Sequence, residues 1–291
     1  MSALLSPSYL GELDALRRRL LVRARGGGAG EHLAKRKGGS AEFLEHREYV
    51  AGDDPRRIDW MAFARTGEPV LKLFRAEEDV VFRLVIDASA SLAFGEPTKL
   101  EHAKRIAASL GYLALRSSER AQLVVAREGV DQLSEPIRGR AALPKLLRSL
   151  DALEAHGRTS LGEALQDVVL RSSRPGLLLV VSDFLDASPF ESAIFRAAQS
   201  KHDIVLVQVL TKDEIDPPYE GDIAFVDSET DEVVEMTIDD RALALYRASY
   251  ERLTARLAQT ARKIGATYVR TTTDEPALEV MKRVVERGVA T

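Results

Sequence analysis

From residue 80 onward, short apolar runs alternate with longer amphipathic segments. Residues 80–86 are almost all β-branched or otherwise apolar, which is typical of a strand covered on both faces. In residues 97–116 the apolar positions recur at helical spacing. Thr98 and Glu101 stand where a capping box places them, so that each side chain can satisfy a free amide of the first turn. We therefore predict a strand at 80–86 and a helix at 97–116.

The same alternation continues towards the C-terminus. Further strands are predicted at 121–126, 177–182, 204–210 and 267–270, and further helices at 141–153, 160–170, 189–200, 241–264 and 275–287. Strands that alternate with helices are connected by right-handed crossovers and form a mostly parallel sheet. The sequence therefore predicts an α/β fold over residues 79–291, with a doubly wound sheet and helices on both of its faces.

The first 78 residues follow another pattern. Leucines near helical spacing predict a helix at 8–22, and glycine clusters at 26–30 and 38–39 indicate a loop after it. Apolar residues in 42–76 lie between turn signals at 52–55 and 66–69, which indicates strands. We predict two domains, a helix with a small β-rich unit at 1–78 and the α/β domain at 79–291.

Residues 213–240 interrupt the α/β pattern with 12 acidic residues and no basic residue. Apolar stretches at 223–226 and 232–236 flank a polar segment, so we predict a small hairpin. Two interpretations stay open. Either the charge only keeps the insertion soluble, or the hairpin is a docking surface for a basic partner.

Composition and charge narrow the class of protein. The chain has no cysteine, which excludes disulfides, thiolate metal sites and cysteine nucleophiles. Its net charge of −4 is unlike the strongly basic balance of nucleic-acid binders. The apolar runs are far shorter than the ~20 residues that a membrane-spanning helix needs, and a secretory signal pattern is absent. We expect a cytoplasmic protein that neither binds nucleic acid nor inserts stably into membranes.

Motifs of the common enzyme classes are missing from the sequence. It contains neither a phosphate-binding P-loop nor a dinucleotide-binding glycine motif nor a Gly-x-Ser-x-Gly elbow nor His-Glu-x-x-His. His102 is predicted to be a polar residue on the surface of the helix at 97–116. These observations favour a protein that is not an enzyme.

Oxygen-bearing side chains cluster where strands are predicted to end. Asp87, Ser89 and Ser91 follow the first strand of the α/β domain at alternate positions, so they can face one way. Thr159 precedes a predicted helix, and Asp183 follows the strand at 177–182. Open α/β sheets bind ligands at the carboxyl ends of their strands. All five offer hard oxygen donors, which predicts a divalent cation, Mg²⁺ first and Mn²⁺ or Ca²⁺ as alternatives.

This set of residues resembles the metal-ion-dependent adhesion site of von Willebrand factor A domains, matched at Asp87, Ser89, Ser91, Thr159 and Asp183. The resemblance implies direct coordination by the two serines and Thr159, and coordination by the two aspartates through water. It also implies that an acidic residue of a protein partner fills the open position on the metal.

A second resemblance concerns residues 45–60 and 64–67, which are similar to the bacterial family called domain of unknown function 58. It extends over about residues 15–291. This resemblance implies that the protein is an adaptor or co-chaperone that binds a MoxR-type AAA+ ATPase or its client. Many members of that family carry transmembrane helices, whereas this sequence predicts none.

Three hypotheses for function follow. The first is a non-enzymatic binding module that captures a partner carboxylate through the cation. The second is a metal-dependent phosphatase or other hydrolase with Asp87 as the nucleophile, although the general acid expected two residues later is replaced by Ser89. The third is a structural protein in which the site is vestigial.

Overall fold

The computed structural model describes residues 4–25, 43–74, 80–172, 174–185, 190–230 and 232–288. The chain forms two compact units, of which the smaller is Lys35–Asp79 and the larger combines Met1–Ala34 with Val80–Thr291. The first helix, α1 (Pro7–Arg25), thus belongs to the larger unit. Its Leu13 is fully buried in that unit's core, and its Asp14 forms an ion pair with Arg116. The predicted domain at 1–78 is corrected in this respect.

The smaller unit contains a helix as well as strands. Its elements are β1 (Phe43–Glu48), α2 (Trp60–Thr66) and β2 (Val70–Phe74), with β1 antiparallel to β2. The prediction of strands throughout residues 42–76 is wrong for 60–66, which form α2. Asp59 accepts hydrogen bonds from the backbone amides of Met61 and Ala62, both at 3.1 Å. This N-cap satisfies the free donors of a first helical turn.

The larger unit is built on one central sheet. The remaining strands are β3 (Val81–Asp87), β4 (Arg120–Arg127), β5 (Gly129–Leu133), β6 (Ile137–Arg138), β7 (Leu177–Ser182), β8 (Asp203–Leu210), β9 (Gly221–Val226), β10 (Val233–Ile238) and β11 (Thr267–Thr272). The sheet has the order β11-β8-β7-β3-β4-β5, and β6 also pairs with β4. Neighbouring strands are parallel from β11 through β8, β7 and β3 to β4, whereas β5 and β6 run antiparallel to β4. Strands β5 and β6 are not among the predicted strands.

Helices cover both faces of this sheet, which confirms the predicted α/β fold class. The helices that follow α2 along the chain are α3 (Lys99–Arg116), α4 (Leu143–Asp151), α5 (Leu161–Arg171), α6 (Phe190–Gln199), α7 (Lys212–Ile215), α8 (Asp240–Lys263) and α9 (Ala277–Gly288). Side chains of β3 alternate between the two cores. Leu84 and Ile86 pack with α1, α3, α4 and α9, while Val85 packs with α5, α6 and α8.

The predicted hairpin in the acidic insertion is present as β9 paired antiparallel with β10. The capping box of α3 is present as well, with Thr98 and Glu101 each bonding the other's backbone amide. Across the described parts of the chain, no helix combines the length and the apolar character that crossing a bilayer requires.

His102 is buried, not exposed as the sequence analysis expected. Only 3% of it is accessible, and its Nε2 lies 3.3 Å from the Thr271 hydroxyl of β11. Burial lowers the pKa of His102 to about 4, because desolvation disfavours the charged ring. Glu275, Arg105 and Asp274 are the charged groups that act on it.

The burial of His102 has a consequence for acid stability. Between pH 4 and 6.5 the unfolded chain binds a proton that the folded chain excludes, so the free energy of unfolding rises with pH through this window. We expect His102→Gln to remove this dependence. The difference in unfolding free energy between wild type and variant grows by about 2–3 kcal/mol from pH 4 to 6.5. Urea titrations across that range test this, and parallel pH curves for the two proteins contradict it.

Gly176, just before β7, marks a close approach to β3. A Cβ at this position meets the Val81 carbonyl oxygen and lies 2.9 Å from Arg83 Nη1. Because backbone atoms of a central strand cannot step aside, we expect Gly176→Ala to destabilise the fold by about 1–3 kcal/mol. Gly11→Ala in α1 is the matched control, since its Cβ meets nothing within 4 Å. Chemical denaturation that ranks Gly176→Ala as stable as Gly11→Ala refutes this packing argument.

Candidate metal centre

The centre begins at the carboxyl end of β3. Asp87 is the last residue of that strand and is fully buried. The Ser89 amide donates to Asp87 Oδ1 at 3.0 Å, and a turn of 3₁₀ helix at Ala90–Ala93 follows. This turn brings the hydroxyls of Ser89 and Ser91 to 3.1 Å from each other. Three of the predicted site residues are therefore grouped at one strand end.

Asp183 enters from the neighbouring strand. In the parallel pair, Ile86 of β3 lies opposite Val181 of β7, so the two strands end side by side. The Ser182 hydroxyl donates to Asp87 Oδ2 at 2.7 Å. Burial, and then the nearby charge of Asp183, raise the pKa of Asp87 to about 6. The two carboxylates thus form a pair that needs a compensating positive charge when both are ionised.

Thr159 is carried by a loop that is hydrogen-bonded to the segment after β3. The Ala90 amide donates to the Gly157 carbonyl at 2.9 Å, and the His156 amide donates to the Ala88 carbonyl at 3.0 Å. The Thr159 hydroxyl is buried and has no hydrogen-bond partner among the described residues. A buried polar atom without a partner is rare in folded proteins and calls for an explanation such as a bound ion or water.

The donor set fits a small divalent cation of the Mg²⁺ type. It offers hydroxyl and carboxylate oxygens, the ligands that such ions prefer, and the orphaned Thr159 oxygen has lone pairs to give. Within the described residues, three or more His, Cys, Asp or Glu side chains do not gather in a metal-binding group. A site here accordingly depends on its hydroxyls.

One residue of the centre was missed by the sequence analysis. Lys99, the first residue of α3, is only 1% exposed. Its ammonium donates to Asp183 Oδ2 at 2.7 Å and to Glu214 Oε1 at 2.5 Å. Burial alone lowers the pKa of an ammonium, but the two carboxylates hold the pKa of Lys99 above its ordinary value. Asp183 therefore already has a cationic partner within the chain.

Glu214 connects the centre to the acidic insertion. It lies in α7, directly before the hairpin, and forms a capping box with Thr211 at the end of β8. The Thr211 amide donates to Glu214 Oε2 at 2.7 Å. Gly95, in the loop between Ser91 and α3, has a φ of +96°, and a Cβ there lies 2.5 Å from Thr211 Cγ2. The loop that carries the serines thus packs directly on the Thr211 cap.

The comparisons with known proteins identify a family. The model of the family described as protein of unknown function DUF58 matches residues 45–261. Uncharacterized proteins of Mycobacterium bovis and Mycobacterium tuberculosis are 30% identical to this chain in an alignment 269 residues long, which covers 88% of this chain and 82% of theirs.

Among solved structures, BatB from Bacteroides thetaiotaomicron aligns with 73% of this chain and all of its own, at 15% identity and a TM-score of 0.49. A von Willebrand factor type A protein from Catenulispora acidiphila aligns with 76% of this chain and 44% of its own, at 13% identity and a TM-score of 0.45. These likenesses are distant, and the fold rests on the strand order given above. By the extent of the family match and of the mycobacterial alignments, the chain belongs to the DUF58 family of proteins of unknown function.

Proposed function

We propose that this protein is a non-enzymatic, metal-dependent protein-binding module. In this proposal Asp87, Ser89, Ser91, Thr159 and Asp183 hold a divalent cation, Mg²⁺ in the first place, that binds a carboxylate of a protein partner. The observation that carries the proposal is the buried Thr159 hydroxyl without a partner. It lies on a loop bonded to the same segment that groups the two serine hydroxyls beside the buried Asp87.

Each residue has a role that follows from its chemistry. Ser89, Ser91 and Thr159 supply neutral oxygens, and the turn after β3 holds the two serines together. Asp87 and Asp183 supply negative charge. Their carboxylates also accept hydrogen bonds from backbone amides and from the Ser182 hydroxyl. A cation bound by so few negative ligands keeps residual positive charge, which attracts an Asp or Glu of another molecule.

For the partner we propose a MoxR-type AAA+ ATPase or its client, with this protein as a cytoplasmic adaptor or co-chaperone. The support is membership of the DUF58 family together with a site whose chemistry suits an acidic side chain. The proposed metal bridge makes this association dependent on the cation.

Cation binding is tested by calorimetric titration of Mg²⁺ and Mn²⁺ into the metal-free protein. We expect Asp87→Ala to abolish the binding heat, because it removes one of the two carboxylates that face the cation. Asp167→Ala is the control, since Asp167 lies at the surface of α5 and pairs with Arg171. Heat that is equal in wild type and Asp87→Ala, or absent from both, refutes the metal assignment.

The proposed metal-bridged contact with a partner is tested with a purified MoxR-type AAA+ ATPase from the same organism. We expect the ATPase to be retained by the immobilised protein in Mg²⁺ and released by a chelator, and Asp87→Ala to retain it poorly under both conditions. Retention that chelator leaves undiminished contradicts metal-bridged docking.

The hydrolase alternative stays a prediction from the sequence. Each carboxylate oxygen of Asp87 accepts a hydrogen bond, one from the Ser89 amide and one from the Ser182 hydroxyl. The residue expected to be the general acid is Ser89, whose hydroxyl cannot donate a proton well near neutral pH. Phosphatase turnover that is lost in Asp87→Asn favours this alternative over the binding module, whereas cation binding without turnover counts against both it and a vestigial site.

A further inference from the structure

Lys99 is a charged residue in the core of the larger unit, where a lysine is unexpected. Its ammonium is almost fully buried and contacts two carboxylates, Asp183 at 2.7 Å and Glu214 at 2.5 Å. Long cationic side chains are rarely buried so completely unless they are paired. Both contacts involve carboxylates at or beside the candidate metal centre, so Lys99 bears on that centre directly.

The charges at the centre show what Lys99 does to a cation. Asp87 and Asp183 bring two negative charges, and the hydroxyls of Ser89, Ser91 and Thr159 bring none. The Lys99 ammonium lies against Asp183 and offsets one of these charges, and it repels any second cation nearby. Glu214 shares the same ammonium and so weakens this effect of Lys99.

We propose that Lys99 is a built-in counter-charge that lowers the affinity of the centre for a divalent cation and so determines how much negative charge an outside ligand must contribute. This inference rests on the proposed function, because it concerns the same cation. Glu214 acts in the opposite sense, since it draws the Lys99 charge towards the acidic insertion.

The two residues therefore have effects of opposite sign. Lys99→Met removes a positive charge next to Asp183, so the cation binds more tightly. Glu214→Gln leaves the ammonium to Asp183 alone, so the cation binds more weakly. A lysine that served only to hold the fold together produces the reverse for Lys99→Met, because disorder at Asp183 weakens coordination.

The experiment is a Mn²⁺ titration of the metal-free variants of the full chain, followed by calorimetry and by the electron paramagnetic resonance signal of free Mn²⁺. We expect Lys99→Met to bind Mn²⁺ about tenfold or more tightly than wild type, since one neighbouring charge commonly changes an ionic equilibrium by a factor of 10 or more. Lys104→Met is the matched control. Lys104 is also a buried lysine of α3, but its ammonium donates to the backbone carbonyls of Asp151 and Leu153, so its loss leaves Mn²⁺ affinity unchanged.

A second comparison covers the case in which Lys99→Met does not fold, since it leaves two carboxylates unpaired. The double variant Lys99→Met with Glu214→Gln has fewer unpaired charges, and we expect it to bind Mn²⁺ more tightly than Glu214→Gln alone. Suppose that wild type binds Mn²⁺. If folded Lys99→Met then binds it no more tightly than wild type, or the double variant no more tightly than Glu214→Gln, this inference is overturned and the proposed function stays intact. Absence of Mn²⁺ binding from wild type and from every variant overturns both.

Discussion

The buried pair of carboxylates at the ends of β3 and β7 is the constraint around which this site is arranged. Parallel pairing of the two strands brings Asp87 and Asp183 to neighbouring strand ends, and both are shielded from solvent. Charges removed from water are costly unless hydrogen bonds and opposite charges compensate them. The Ser182 hydroxyl, the Ser89 amide and the Lys99 ammonium supply that compensation. The Thr159 hydroxyl lies outside this set of donors and has no partner among the described residues, whereas the Ser91 hydroxyl is hydrogen-bonded to that of Ser89.

The sheet and the grouping of Asp87, Ser89 and Ser91 were predictable from sequence. Strand–helix alternation specifies a parallel sheet, and parallel strands present their carboxyl ends at one edge. Side chains that follow β3 and β7 must then lie near each other. The prediction needed only the order of the elements and the chemistry at their ends, and it tolerated errors of one or two residues in each boundary.

Other features depend on contacts that local sequence does not contain. Lys99 follows a capping threonine at the start of a helix, a place where an exposed lysine is just as common, and its carboxylate partners come from residues 183 and 214. The leucines of α1 predict a helix, but not which unit buries it. In the smaller unit, the apolar spacing around Trp60 suits a strand or a helix, and the Asp59 cap decides the outcome. His102 is buried because β11 packs over it from the far end of the chain.

The close contact between Gly95 and Thr211 joins two parts of the molecule that the sequence keeps far apart. On one side is the loop that presents Ser91, and on the other is the cap from which the acidic insertion departs. Because Gly95 has no side chain, its backbone lies directly against the methyl group of Thr211. A larger residue at position 95 would therefore have to push the serine loop away from the Thr211 cap.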